Sequence, residues 1–339
     1  MWPFSRFFFL YAVRAREGVK PVSGHLIQSR LLSSPANGVE SPSGSVFVLD
    51  FLKKSGFSDA QLEKMLKRMP KVLKADLDKT IKPKIQVFLD WGFSGADTGE
   101  VLSKDPYVLE RGPDKITASL VILKRVLGSD LIVMKAVKSC PWFLKHDLER
   151  NLVPNVELLA SRGVSMLRIV RVICHHPRVF FHCPEAMRGF MKKVEEMGVD
   201  ERSGEFLFAI ITISSMHNEN WESKLELFRR LGFGEDDVLN VIRRCPRVFT
   251  YSAIRIKNTV EFYLGRGKVD IPFVVEHPSL LALSLEHRLK PRIVVLDELM
   301  SKKLLKRKPS LTYVMKLSHE QFRKKYLLPH FDLVDDSYD

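Results

Sequence analysis

Residues 174–183 read CHHPRVFFHC, two cysteines and three histidines within ten positions. Thiolate and imidazole are the ligands that hold zinc, so composition alone suggests a metal centre. The spacing does not match. A structural zinc site pairs C-x₂₋₄-C with a distant second pair, whereas here the two cysteines lie nine residues apart and no second cluster follows. The other signatures of chemistry are absent as well. The chain has no G-x-x-x-x-G-K-[ST], G-x-G-x-x-G, G-x-S-x-G or H-E-x-x-H. No carboxylate pair stands out as general acid and base. The expectation is a protein that is not an enzyme and that holds no metal and no cofactor.

What recurs instead is positive charge at fixed distances from proline. Pro70, Pro106, Pro141, Pro177, Pro246 and Pro278 are separated by 36, 35, 36, 69 and 32 residues, the 69 being two periods with one proline missing. Gly56, Gly92, Gly128, Gly163, Gly198 and Gly232 keep the same beat at 36, 36, 35, 35 and 34. After each proline comes one variable residue and then two apolar ones: KVL, YVL, WFL, RVF, RVF and SLL. In this register Lys67, Lys138 and Arg243 stand three before proline, and Arg68, His175 and Arg244 two before. Lys71, Arg178 and Arg247 stand one after it, interleaved with Tyr107 and Trp142. Lys290 and Arg292, flanking Pro291, are weaker members of the set. In a repeat protein one offset maps to one side of the array. These residues are therefore candidates for a stripe that binds phosphate through counterion release, with the aromatics as stacking groups. The same cations could instead cap helix C-termini just before proline.

The elements that must position such a stripe are helical. Ser58 and Gln61 form a capping-box pattern ahead of Leu62, Met65 and Leu66. Pro70 ends that helix, because it has no N–H and restrains the residue before it. Ile81, Ile85, Phe88 and Leu89 mark a second helix that stops at Gly92. The same apolar stripe returns as Ile116, Leu120 and Leu123, and as Trp221, Leu225 and Phe228. The Pro-x-apolar-apolar step predicts a single tight turn between the two helices. A two-helix unit cannot bury its apolar face alone, so units must stack. The fold class predicted is all-α, an α-solenoid superhelix of about seven repeats of about 35 residues. The fifth repeat has Thr212 where proline would fall, and the last is short, with Gly265 and Gly267 only 13 and 11 residues before Pro278.

Bulk properties fit a polyanion binder. There are 54 Lys and Arg against 40 Asp and Glu, a net charge of +14 and a pI near 9.6. Four cysteines in 339 residues make no disulfide scaffold. No stretch reaches the roughly 18 apolar residues of a membrane span. Residues 1–45 carry Arg6, Arg14, Arg16, Lys20 and Arg30 against Glu17 and Glu40, and are dotted with Ser. This is the pattern of an organellar transit peptide, with a secretory signal around FFFLYAV or an untargeted N-terminus as the alternatives. Residues 46–330 then form the repeat domain, and DLVDDSYD near the C-terminus an acidic flexible tail over 331–339. The run SKKLLKRKPS reads as a solvated cap of the last repeat, with an added phosphate contact or a nuclear signal as alternatives.

The recurring GF-S…P-x-V/L-L/F unit, beginning at Gly56, Gly92, Gly128, Gly163 and Gly232, resembles the repeat of the mitochondrial transcription termination factor (mTERF) family. HPSLLALSLEHRLKPRIVVLDEL followed by HEQFRKKYL is similar to the C-terminal end of plant members. The resemblance implies a monomeric superhelix whose basic concave face binds organellar DNA or RNA, acting in transcription termination or regulation or in RNA processing. It also implies other organellar gene-expression proteins as further partners. Localisation would be mitochondrial, with the chloroplast as the alternative. A protein-interaction scaffold that does not touch nucleic acid is the competing function.

Overall fold

The computed structural model describes residues 43–333 apart from Lys308. The expected transit segment as far as residue 42, and the acidic tail from residue 334, lie outside the described residues. Among those described there are 17 α-helices and no strand, and the fold is an all-α helical-repeat solenoid. A leading helix α1 (Ser43–Lys54) precedes seven repeats. Their first helices are α2 (Asp59–Arg68), α4 (Gly95–Lys104), α6 (Asp130–Ser139), α8 (Met166–His175), α10 (Glu205–Ser214), α12 (Glu235–Arg244) and α14 (Ile271–Glu276). Their second helices are α3 (Lys82–Asp90), α5 (Pro113–Leu127), α7 (Leu152–Ser161), α9 (Pro184–Glu196), α11 (Asn218–Arg230), α13 (Ala253–Leu264) and α15 (Lys290–Ser301). Two short helices, α16 (Leu311–Lys316) and α17 (His319–Phe322), close the chain with helical turns as far as Leu333. The chain forms two compact units that divide within α5, one ending at Thr117 and the other starting at Ala118.

Proline sets the internal boundary of each repeat. Met69, Asp105, Cys140, His176, Cys245 and His277, the residues before it, all leave the helical region, with φ from −157° to −124° and ψ from 50° to 91°. Each still donates its N–H to the carbonyl four residues back, Met69 to Met65 at 2.9 Å for example. Proline then opens a single 3₁₀ turn, such as Pro70–Lys74 or Pro177–Phe181. The two apolar residues after it go into the core every time: Val72 and Leu73, Val108 and Leu109, Phe143 and Leu144, Val179 and Phe180, Val248 and Phe249, Leu280 and Leu281. The tight step expected from the sequence is this turn.

Glycine sets the other boundary. The six repeat glycines are the only glycines with positive φ among the described residues, from 74° to 94°. At Gly92 the N–H bonds to Leu89 O, and that of Phe93 to Phe88 O, the paired bonds of a Schellman ending. The seventh repeat makes the same bonds at Lys303 and Leu304, with Lys303 at φ 57° in the glycine position. A side chain is strained there. Lys303→Gly is expected to raise stability by about 0.5 kcal/mol, read as a higher midpoint in urea unfolding.

The capping box predicted at Ser58 and Gln61 forms, at 3.0 and 3.3 Å. Of the predicted stripes, Ile81, Ile85, Phe88, Ile116, Leu120, Leu123, Trp221 and Phe228 are buried. Leu89 is instead exposed, and Leu225 is only half-buried because Lys224 takes the inward position beside it.

Lys224 belongs to a set that the apolar pattern concealed. Its Nζ donates to the carbonyl of Phe249, 25 residues on, at the end of the next repeat's Pro turn. Lys84 does the same to Leu109. Asn155 donates to His182 at 2.8 Å and to Phe180 at 3.5 Å. These three are buried and stand eight residues before Gly92, Gly163 and Gly232. Arg255 reaches Ala282 O at 2.8 Å in the same manner. The last carbonyls of a helical turn have no partner within it. A polar side chain from the preceding repeat supplies one, so the turn is fixed by packing and by hydrogen bonds together. Burial holds the amines of Lys84 and Lys224 below their ordinary pKa, since the charged form is the one it penalises.

Candidate nucleic-acid interface

The proline-register cations have three fates. Lys67, Arg68, Lys71, His175, Arg178, Arg244 and Lys290 are exposed. Lys138, Arg243 and Arg247 are half-buried. Arg292 is buried, with 1% of its surface accessible.

Several are committed to the protein itself. The Arg68 guanidinium donates to the carbonyl of Lys104, and Arg244 Nη1 to that of Glu276 at 3.1 Å. Each target lies two residues before proline in the next repeat, at the open C-terminus of a first helix. Ser139, in the same register, donates to Cys174 O at 3.2 Å. These are C-terminal caps extended from the neighbouring repeat, where a cation also meets the negative end of the helix dipole. Arg243 Nε donates to Met197 O at 2.7 Å, and its guanidinium fills the space where a Cβ on Gly198 would sit, 2.9 Å away. Lys71 pairs with Glu110 at 2.5 Å, and Lys290 with Glu286 at 2.6 Å.

Arg292 corrects the sequence expectation outright. Its Nη1 donates to Val314 O at 2.7 Å and Leu317 O at 2.9 Å, and its guanidinium lies 4.8 Å from the centre of the Phe322 ring. It binds the closing helices to α15, and no phosphate can reach it. The sequence hid this because a basic residue next to proline looks the same whether the helix turns it outward or inward.

The predicted stacking of one offset on the next is realised at the residue after proline. Arg178 lies over the Trp142 ring at 5.2 Å, and the two occupy the same offset in successive repeats. Trp142 keeps 40% of its surface exposed. Lys145 Nζ approaches the same ring at 6.0 Å, and His146 stacks on Phe181 at 4.3 Å with the rings 11° from parallel. Cations over an exposed indole make a surface that can take a phosphate and a base face together. In the other compact unit Tyr107 donates its hydroxyl to Arg68 O at 3.2 Å, close to Lys71.

The fifth repeat changes this row. With Thr212 in place of proline, α10 continues to Ser214 and no 3₁₀ turn follows. Glu205 from α10 then faces Arg247 at 3.7 Å, and Phe208 lies 4.6 Å beneath the same guanidinium. Burial pushes the Glu205 carboxyl up, against the pull of Arg247 and Arg168. Arg247 is thus partly neutralised by a carboxylate from the preceding repeat.

The cysteine–histidine run resolves into repeat positions. Cys174 is buried on α8, with its thiol pushed up by burial, while Cys183 is exposed ahead of α9. His176 occupies the position before proline that Cys140 and Cys245 occupy in sister repeats, and meets Phe208 edge-on. His175 Nδ1 lies 2.9 Å from Arg171 O, on its own helix. Among the described residues no three His, Cys, Asp or Glu side chains gather to hold a metal. Nor is any described helix long and apolar enough to cross a membrane.

The family model described as mTERF matches residues 49–212 and 207–323. The chain is 21% identical to mouse mitochondrial transcription termination factor 1b over 213 residues, 61% of this chain and 49% of that one. It is 26% identical over 260 residues to the chloroplastic transcription termination factor MTERF8 of Arabidopsis thaliana, 64% of this chain and 51% of that one. With the mitochondrial MTERF15 of the same plant it shares 23% over 248 residues, 73% and 55% of the two chains. The chain spans about half the length of these curated relatives.

Proposed function

Because this chain belongs to the mTERF family, we propose that it binds organellar DNA or RNA and through that contact regulates transcription or RNA processing in a mitochondrion or chloroplast. It acts as a binding protein, without a catalytic step. The observation that carries the reading is the exposed Trp142 with Arg178 and Lys145 over its ring, at the offset where successive repeats meet. Relatives named as mitochondrial and chloroplastic termination factors support the compartment and the process. The test is retention of the full chain on organellar DNA and RNA fragments across a salt series. Binding at about 50 mM salt that falls as salt rises is expected, since phosphate contacts release counterions. Arg178→Gln is expected to lower the slope of log K against log salt by about 1. No retention at that salt concentration sinks the proposal.

A second reading, a scaffold for another gene-expression protein, is favoured by Leu131 and Leu167. They stand 77% and 72% exposed near the starts of α6 and α8. Such a scaffold would capture a protein and show no salt-dependent nucleic-acid retention.

A further inference from the structure

The positive charge of this chain is not spread evenly along its repeats. Residues 302–325 hold nine basic residues and one acidic one, a net +8 against +14 for all 339 residues. Residues 46–301 hold a net +7. The acidic residues 332–339 subtract four in sequence just beyond. Charge per residue in the 24-residue stretch is therefore more than ten times that of the repeats.

On the repeats, some exposed cations pair with carboxylates, such as Lys71 with Glu110, Lys124 with Asp130, Arg125 with Glu149 and Arg229 with Glu235. Others, such as Lys64, Lys67, Lys74 and Arg266, are exposed with no ion pair among the described residues, so the stretch after α15 differs in how densely its cations are gathered. In the stretch after α15, Lys302 pairs with Glu298 and Lys324 with Glu320. Lys306, Arg307, Lys316 and Arg323 are exposed and form no ion pair among the described residues.

Nor do these four hang from a loose tail. Leu304, Leu305 and Leu317 pack against a core of Val295, Leu296, Leu299, Val314, Phe322, Tyr326 and Leu327. The buried Arg292 ties the same segment to α15 through the carbonyls of Val314 and Leu317. The cations are thus mounted on an ordered module, so less freedom is lost when they meet a ligand. Lys316 lines an open cleft with Thr312, Tyr313 and Leu317, and Lys325 lies 4.7 Å over the half-exposed Tyr313 ring. Unpaired, outward, preorganised cations are what a phosphate backbone selects. A structural cap needs only the leucines and Arg292.

Resting on the nucleic-acid reading above, we infer that the C-terminal module over residues 302–325 is a second nucleic-acid-binding surface that grips the phosphate backbone and supplies most of the salt-dependent affinity of this chain. It contributes binding without base readout, since its contacts are charge contacts. The Trp142 row is left to the base-directed part.

The test uses the full chain with Lys306→Gln, Arg307→Gln, Lys316→Gln and Arg323→Gln combined, and random-sequence duplex and single-strand probes. All four side chains are exposed, so the thermal midpoint and helical circular dichroism serve as folding controls. The expected result is a slope of log K against log salt that is shallower by about 3 to 4 for duplex, with affinity at about 0.1 M salt down at least about tenfold. The matching variant with arginine at all four positions is expected to bind as the wild type does. A folded glutamine variant with unchanged slope overturns the inference and leaves the family-based reading standing. Failure of the wild type itself to bind either probe overturns both.

Discussion

Restoring the missing proline of the fifth repeat is expected to damage the protein, even though it completes the sequence period. In six repeats proline follows a first helix that has already ended. In the fifth, Thr212 is buried inside α10, two residues before that helix ends at Ser214. Proline at 212 would remove an amide donor from the helix interior and drive its ring against the preceding turn, at about 3 kcal/mol or more. Thr212→Pro should lower the midpoint of thermal or urea unfolding accordingly, against no more than about 1 kcal/mol for Thr212→Ala, which keeps the helix amide. A variant as stable as the parent would mean that α10 ends earlier and that the fifth repeat turns as its sisters do. The same change would also move Glu205 and Phe208 relative to Arg247, so it tests whether the carboxylate beside that guanidinium depends on the prolonged helix.

The second large effect is expected at Arg292. Removing a buried charged group that satisfies several carbonyls leaves those acceptors unpaired and opens a cavity. Arg292→Ala should therefore cost about 3 to 5 kcal/mol, concentrated in α15 and the segment that packs on it. Hydrogen exchange should show protection lost first around Val314 to Leu317, whose carbonyls Arg292 holds. Arg292→Lys should recover only part of the loss, because an ammonium lacks the planar fork that reaches more than one carbonyl. Where residues 302–325 of the variant keep their protection, its salt slope for nucleic acid should match the wild type, because Arg292 is buried and touches no ligand. A shallower slope in a variant whose 302–325 segment remains protected would contradict a purely structural role for Arg292.

These two residues mark the limits of what periodicity can convey. The spacing of glycine and proline was enough to predict the repeat, its two helices and the turn between them. The cause is local: a left-handed helix ending favours glycine, and a residue before proline leaves the helix wherever the pair occurs. The seventh repeat shows that the rule is about backbone geometry, since Lys303 adopts the left-handed conformation where glycine is missing. Periodicity also placed the cations in register, and the contact of Trp142 with Arg178 confirms that one offset meets itself in the next repeat there. It could not say what each cation does. Arg68 and Arg244 cap a neighbouring helix while staying exposed, Arg243 fills the gap above Gly198, and Arg178 lies on an indole.

The buried set Lys84, Asn155 and Lys224 was present in the sequence as polar residues on an apolar stripe, always eight before glycine. Its meaning depends on where a carbonyl 25 residues away comes to lie. Sequence by itself determined the repeat, its period, its helical character and the excess of positive charge, because each follows from local backbone preference or from composition. Tertiary structure decided which charges are spent on carbonyls and carboxylates and which remain for a partner. Pairs such as Lys290 with Glu286 are local, but the carbonyls that Arg68, Lys224, Arg243 and Arg292 reach lie 22 to 46 residues away, and those distances close only when separate elements pack together.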